Sequence, residues 1–352
     1  MVPRAHGLIL GCLFLLVVAL PASAGEATRG PPARPASPAA KPVVVPEVKT
    51  MAISDVAVKL GLKVNSIVPG LRVVLFDATR RVEFETDSRE TFLNGLRVFL
   101  GHPVSAKRGQ LYVSTIDYET CLVPLLQPSL LARPRSRPRI IAIDAGHGGV
   151  DQGTENHRLG FKEKILTLDV ALRLKALLDQ QGFVAVLTRA TDVTVDKAMR
   201  VIIANRAAAD VFVSIHFNAL PNDQKTRGTE VFTFAPQYQR STNSWSPLEP
   251  NDTERELSPA NSLDAWNALL AHSMHRELLD GLKTFDRGKK IAHLGVLRGL
   301  SCPGVLVESG FLSNDDEARN IARPAYRQQI AVALAAGVQR YADQLDSLRK
   351  KS

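Results

Sequence analysis

The chain has 352 residues, 45% hydrophobic, 22% charged and 6% aromatic, with 44 Lys and Arg against 35 Asp and Glu. This is the composition of a folded protein with a sizeable core, which excludes wholesale disorder and collagen-like or coiled-coil architectures. A net charge of +9, spread along the chain, suits an acidic polymer or a membrane surface and asks for no nucleic acid.

Residues 1–24 read as a secretory signal peptide. Arg4 supplies the basic start, LILGCLFLLVVAL at 8–20 the apolar run, and Ala22-Ser23-Ala24 the small-x-small cleavage pattern. That run is too short for a spanning helix of about 20 residues, and no later stretch qualifies. The expected mature protein is exported and keeps no stable membrane span after signal cleavage. Of three cysteines, Cys12 leaves with the signal. Cys121 and Cys302 remain, read as two buried thiols with one disulfide as the alternative, and two cysteines exclude a thiolate-rich zinc site.

Residues 25–49 are Pro- and Ala-rich and read as an extended tether. Residues 50–127 read as a small α+β module. LRVVLFD at 71–77, RVEFET at 81–86 and residues 110–114 alternate as strands, and 88–100 reads as a short helix leading into Gly101-His102-Pro103. In residues 128–138 Arg alternates with Pro and Ser, so this stretch is expected to be an interdomain linker.

From 139 to 345 strands and helices alternate. RIIAID at 139–144 is a buried-strand run, and 162–181 is a helix with Leu166, Val170, Leu174, Leu177 and Leu178 on one stripe, stopped by Gly182. Residues 183–188, 210–216, 229–234 and 304–308 follow as strands, and 195–209, 263–285 and 325–348 as helices. The fold class expected is α/β, a mostly parallel sheet flanked by helices, with the small N-terminal α+β module in front. Between 235 and 261 the chain turns Pro-, Ser- and Asn-rich, a length of insert that is functional or flexible.

Open α/β sheets carry their sites at the carboxyl ends of strands. Just past the first strand of this region stands Gly146-His147-Gly148-Gly149, at the third His216, at the last Glu308, and Glu163 opens the first long helix. His-Glu-His offers three ligands and leaves one coordination position, the arrangement of hydrolytic zinc, with Glu308 as proton acceptor and donor. Each residue also has a plainer reading. Either histidine suits a structural role, Glu163 suits the helix dipole, and Glu308 suits pairing with an arginine.

The wording of the motifs goes further. IDAGHGGVDQGT at 143–154, GFKEKILTLDVALRL at 160–174 and LTRATD at 187–192 are followed by ANRAAADVFVSIHFNA at 204–219 and GTEVFTF at 228–234. DRGKKIAHLGVLR at 286–298 and CPGVLVESGFLSN at 302–314 complete the series. In this order they resemble the zinc-dependent N-acetylmuramoyl-L-alanine amidases (the amidase_3 type), bacterial cell-wall hydrolases with a zinc amidase/exopeptidase-like fold. The resemblance implies one Zn2+ on His147, Glu163 and His216, a catalytic carboxylate at Glu308, and peptidoglycan as substrate. It implies cleavage between N-acetylmuramic acid and L-alanine, for wall remodelling, daughter-cell separation or turnover, in the periplasm or cell envelope. The alternatives are a zinc peptidase acting on the stem peptides and a non-catalytic wall-binding protein. Export disfavours nucleic acid.

Three positions depart from the family pattern. Ile165 stands where Asp often follows the Glu-Lys pair, Cys302 where Met is commoner, and Lys289 where Val is usual. In some relatives an insert placed like 235–261 silences the enzyme until a partner removes it. The resemblance thus carries the expectation of a protein activator, with Glu249, Asp252, Glu254 and Glu256 as carboxylates able to cap the metal. The N-terminal module resembles the stalk-like domain named after the copper amine oxidase N-terminus, implying wall attachment and no copper chemistry; a plain spacer is the alternative. His102, His157, His272, His275 and His293 read as structural or solvated.

Overall fold

Continuous apolar runs become the central strands of one long sheet. The computed structural model describes residues 48–131, 135–243 and 255–350. The expected signal peptide lies outside them, as does the tether up to residue 47. Glu47–Ser352 forms a single unit.

The N-terminal part opens with β1 (Thr50–Ala52), α1 (Ile53–Leu60) and β2 (Lys63–Val68), then β3 (Arg72–Phe76), β4 (Arg81–Glu85), β5 (Glu90–Leu93) and β6 (Leu96–Phe99). β7 (Ser105–Lys107), β8 (Gln110–Ser114), α2 (Thr115–Asp117), a π-turn at Tyr118–Leu122 and α3 (Val123–Leu126) complete it. Residues 88–100 are thus not a helix. They form the antiparallel β5/β6 hairpin, in which Leu93 faces Leu96. Asn94 and Gly95, both at positive φ (50° and 81°), make the tight turn, a backbone that Asn-Gly adopts readily and that right-handed strand twist favours. Val73, Leu75, Val82, Phe84, Leu93 and Val98 bury one face of these strands against α1 and Leu122.

The second part runs through β9 (Ile140–Ala145), the short pair β10 (Glu155–Asn156) and β11 (Phe161–Lys162), α4 (Glu163–Gln180) and β12 (Val184–Leu187). It continues with α5 (Lys197–Arg206), β13 (Val211–Asn218), β14 (Thr229–Phe234), α6 (Asp264–Leu282), β15 (Asp286–Ala292) and α7 (Gly295–Arg298). β16 (Gly304–Phe311), α8 (Asp315–Ala322) and α9 (Pro324–Arg349) close it. Asp196 caps α5 by accepting the Met199 amide, and Asn314 caps α8 by accepting from Asp316 and Glu317. Strand order is β12-β9-β13-β16-β14-β15, continued by β6-β5-β4-β3-β2 into eleven strands. The sheet of the second part is mixed: β14 and β16 run antiparallel, the other neighbouring pairs parallel.

Strand side chains alternate between two cores. Ile141, Ile143, Val213 and Val305 pack under α4, α6 and α9. Phe212, Phe232, Phe234 and Leu306 pack under α5 and α7 on the opposite face. The junction between the two parts is narrow in the sheet, where Val98 of β6 pairs with Lys289 of β15. It is reinforced below by α3 against α6, by the Arg97 amide on Asp286 (2.9 Å), and by Gln239 on Asp117 (2.9 Å). Among the described residues no helix is long and apolar enough to cross a membrane.

Candidate active site

β9 ends at Ala145 and the chain turns at once through Gly146, His147 and two more glycines. His147 sits at φ +60°, which re-aims its ring back over the sheet edge. Gly146 lies flat against His216 at the end of β13. A Cβ there would stand 2.4 Å from the imidazole, so only glycine admits the approach. Gly153 is as tightly placed, with a built Cβ 2.6 Å from both Glu163 Oε2 and the His147 ring.

Two arginines fix this turn from below. Arg189 donates to the carbonyls of Ala145 (2.9 Å), Gly146 (2.8 Å) and Lys164 (2.8 Å). Arg200 donates to Ala145 and His147 (2.6 and 2.7 Å) and pairs with Asp144 at 2.6 Å. Asp144 is fully buried and also accepts the hydroxyls of Thr188 (2.6 Å) and Ser214 (2.7 Å). Carbonyls freed at the end of a parallel strand thereby find donors, as buried backbone groups must.

The structure brings His147, Glu163 and His216 together, their ligand atoms all within 4.8 Å of one another. Glu163, first residue of α4, is 1% exposed. Its Oε1 faces His216 Nδ1 (2.9 Å) and accepts the Phe217 amide (3.0 Å). Its Oε2 faces His147 Nε2 (3.1 Å) and accepts the Thr154 amide (2.7 Å). Burial works against the Glu163 charge, but the hydrogen bonds and charges of the two imidazoles outweigh it and hold the carboxyl well below its usual range. Burial likewise opposes protonation of His147, and the Glu163 and Asp151 carboxylates overrule it and raise the imidazole. Asp151 Oδ2 stands 2.9 Å from His147 Nδ1, orienting the ring.

Glu308 enters from β16, directly across the parallel pair from His216 and across the antiparallel pair from Glu230. The residue is half-buried, and its Oε2 is buried with no hydrogen-bond partner among the described residues. Burial, then the negative charges of Glu163 and Glu230, push its carboxyl well above the ordinary range. A free carboxylate of raised proton affinity beside a His-Glu-His cluster is equipped to take and return a proton.

The helix-dipole reading of Glu163 holds as well, since it stands in the first turn of α4. Among the described residues neither histidine ring bonds to backbone, and Glu308 pairs with no arginine. Asp151 and Glu230 were missed in the sequence; Asp151 stands in the glycine-rich phrase just after His147 and Glu230 inside GTEVFTF, so the signal was present. Ile165 is 58% exposed. Cys121 and Cys302 are free, buried in different cores, and burial pushes Cys302 up to about 12. Glu256 pairs with Arg298 (2.7 Å), while Glu249, Asp252 and Glu254 lie outside the described residues. His275 contacts Asp286 (2.7 Å), and burial drives His272 down to about 3. His157 is exposed, 3.6 Å from Glu155.

A family model described as N-acetylmuramoyl-L-alanine amidase matches residues 141–340. The chain belongs to this family. The N-acetylmuramoyl-L-alanine amidase AmiA of Escherichia coli (strain K12) is 30% identical over 239 residues, 63% of this chain and 82% of that protein. The germination-specific N-acetylmuramoyl-L-alanine amidase of Bacillus subtilis (strain 168) is 30% identical over 227 residues, 59% of this chain and 83% of its own length. Among solved structures, the N-acetylmuramoyl-L-alanine amidase AmiC2 of Nostoc punctiforme matches 58% of this chain and 97% of its own at 31% identity, with a TM-score of 0.48. Of the three activities expected, amide hydrolysis in peptidoglycan is the one this membership supports, and the amidase is an enzyme.

Proposed function

We propose that this amidase is a zinc enzyme in which His147, Glu163 and His216 hold one Zn2+ and Glu308 carries the proton. The observation that supports it best is the meeting of three convergent donors with an unpartnered buried carboxylate on the adjacent strand. The donor set suits a hydrolytic ion, with two imidazoles and one carboxylate. Gly146 and Gly153 leave the space that these rings and this carboxylate occupy. Zinc bound there supplies a Lewis acid that polarises the scissile carbonyl.

The chain's own groups do the rest. Amide resonance makes the lactyl–alanine bond a poor electrophile and its nitrogen a poor leaving group. Glu308 removes a proton from the attacking water as the C–O bond forms. It returns that proton to the nitrogen as the C–N bond breaks, leaving a lactyl carboxylate and a free L-alanine amine. Asp151 holds the His147 ring in its orientation, and the Thr154 and Phe217 amides hold Glu163.

The same reading places the enzyme in the cell envelope, exported by residues 1–24 and reaching the wall through the tether. Residues 50–127, resembling the copper amine oxidase N-terminal stalk, serve as a supporting module beside the 139–345 catalytic domain. A protein activator acting on 235–261 belongs to this reading. Its test is deletion of 244–254, which spares the anchors Gln239 and Thr242 and raises activity if that segment restrains it. The decisive experiment for the whole is digestion of purified peptidoglycan by the mature protein, with zinc and with chelator. Chelator-sensitive release of stem peptides bearing a free L-alanine amine is expected; cuts inside the stem, or turnover indifferent to chelator, overturn it.

A further inference from the structure

Glu230 is buried, 1% exposed, and it stands immediately across β14/β16 from Glu308. Side chains so paired have Cβ atoms about 5 Å apart. Three donors close around Glu230. Its Oε1 accepts Asn218 Nδ2 at 2.7 Å, and its Oε2 accepts Lys290 Nζ at 2.5 Å and Arg287 Nε at 3.2 Å. Lys290 is itself buried, its ammonium 5.5 Å from the Phe99 ring of β6 and 5.7 Å from the Phe232 ring of β14. Arg287 lies 4.8 Å over Phe311.

Two neighbouring carboxylates and one buried ammonium thus share a small volume, and the ammonium goes wholly to one of them. A buried cation takes a carboxylate wherever one is in reach, because an unpaired charge there is costly. Glu308 is the neighbouring carboxylate across the strand pair, and its Oε2 has no partner among the described residues.

We infer that Glu230 is a positioning residue that keeps Lys290 engaged and so leaves Glu308 free to move the proton. Phe99 and Phe232 hold the ammonium on the Glu230 side, so the N-terminal module takes part in the arrangement through Phe99. This inference rests on the reading of Glu308 as the proton carrier.

The test is Glu230→Gln, which keeps the shape and removes the charge, beside the double variant E230Q/K290M, which removes the cation as well. In wild type, release of L-alanine amine ends from peptidoglycan checks the underlying activity on its own. For E230Q the expected result is a kcat lowered roughly tenfold or more, with KM and zinc content unchanged. E230Q/K290M is expected to return to within about threefold of wild type, since no cation is left to capture Glu308. A kcat for E230Q equal to wild type, or a double variant as slow as E230Q, overturns the inference while leaving the amidase assignment intact. A crystal structure of E230Q decides independently of turnover: Lys290 Nζ moves to hydrogen-bond distance of Glu308 if the inference holds, and stays clear of it if not.

Discussion

Glu308 and His216 occupy the same level of adjacent parallel strands, β16 and β13, so the proposed proton carrier and a proposed metal ligand face the cleft side by side. No loop closure is needed to bring them together; strand pairing alone sets their separation. For Glu308→Gln this predicts an enzyme that still holds zinc and still binds peptidoglycan, with kcat down by about 10²- to 10⁴-fold. Equal zinc stoichiometry with near-wild-type turnover would show that another group moves the proton.

Glu163 hydrogen-bonds both of the other proposed ligands, and it is also held by two backbone amides. Glu163→Gln therefore removes a proposed ligand, leaves His216 without its carboxylate and leaves His147 with Asp151 alone. Zinc content measured by elemental analysis after gel filtration is expected to fall to a small fraction of one ion per chain. Retention of a full equivalent would move the metal elsewhere.

Asp151 acts one step further out, through His147 Nδ1. Asp151→Asn is expected to weaken zinc by about 10- to 100-fold, the usual loss when such an outer partner goes. Competition against a chelator of known affinity reads this directly. Because His147 is the proposed ligand that Asp151 contacts among the described residues, kcat of the zinc-saturated variant should change far less than the affinity does.

Asp144 and Arg200 form a buried ion pair, 0% and 5% exposed at the side chain, beneath the same turn. Asp144→Asn leaves the Arg200 cation buried with carbonyls alone, and breaking such a pair typically costs about 3–5 kcal/mol. A urea midpoint for D144N within error of wild type would contradict this. The reverse change, Arg200→Met, also strips donors from Ala145 and His147 and should loosen the turn that carries the first ligand.

The candidate site was legible in the sequence because it follows the general rule of α/β sheets, with candidate ligands toward the carboxyl ends of apolar runs. The turn at Gly146 and His147, the His216 end of β13 and the Glu308 position in β16 all follow that rule. The hairpin over 88–100 was misread because its apolar spacing also fits a helix, although Asn94-Gly95 marked the turn. β15 was overlooked for an electrostatic reason. A strand reading DRGKKIA looks too charged for the middle of a sheet. Its lysines are tolerated there because Lys290 meets Glu230, and Lys289 lies in a cavity lined also by Asp117 and Asp264. Those acids come from distant parts of the chain, so no local window reveals them.

Asp264 opens α6 at that same cavity, and its carboxyl is pushed up to about 7, first by burial, with the Asn261 amide and the Lys289 charge opposing. The unfolded chain releases this proton near 3.8, the ordinary value for an Asp carboxyl. Between these two values the folded protein holds a proton that the unfolded chain does not, so folding is favoured there by acid. The contribution of Asp264 is fully present below the unfolded value and is lost as pH rises through about 7, leveling off above it. Asp264→Asn keeps the shape and cannot ionise, so it should remain insensitive over this window. Urea midpoints of both proteins measured from about pH 4 to about pH 8 are expected to diverge, the wild type losing ground to D264N as pH rises. Parallel curves would mean that the cavity admits enough water to solvate the Asp264 carboxylate, and that its proton plays no part in holding α6 against the N-terminal module.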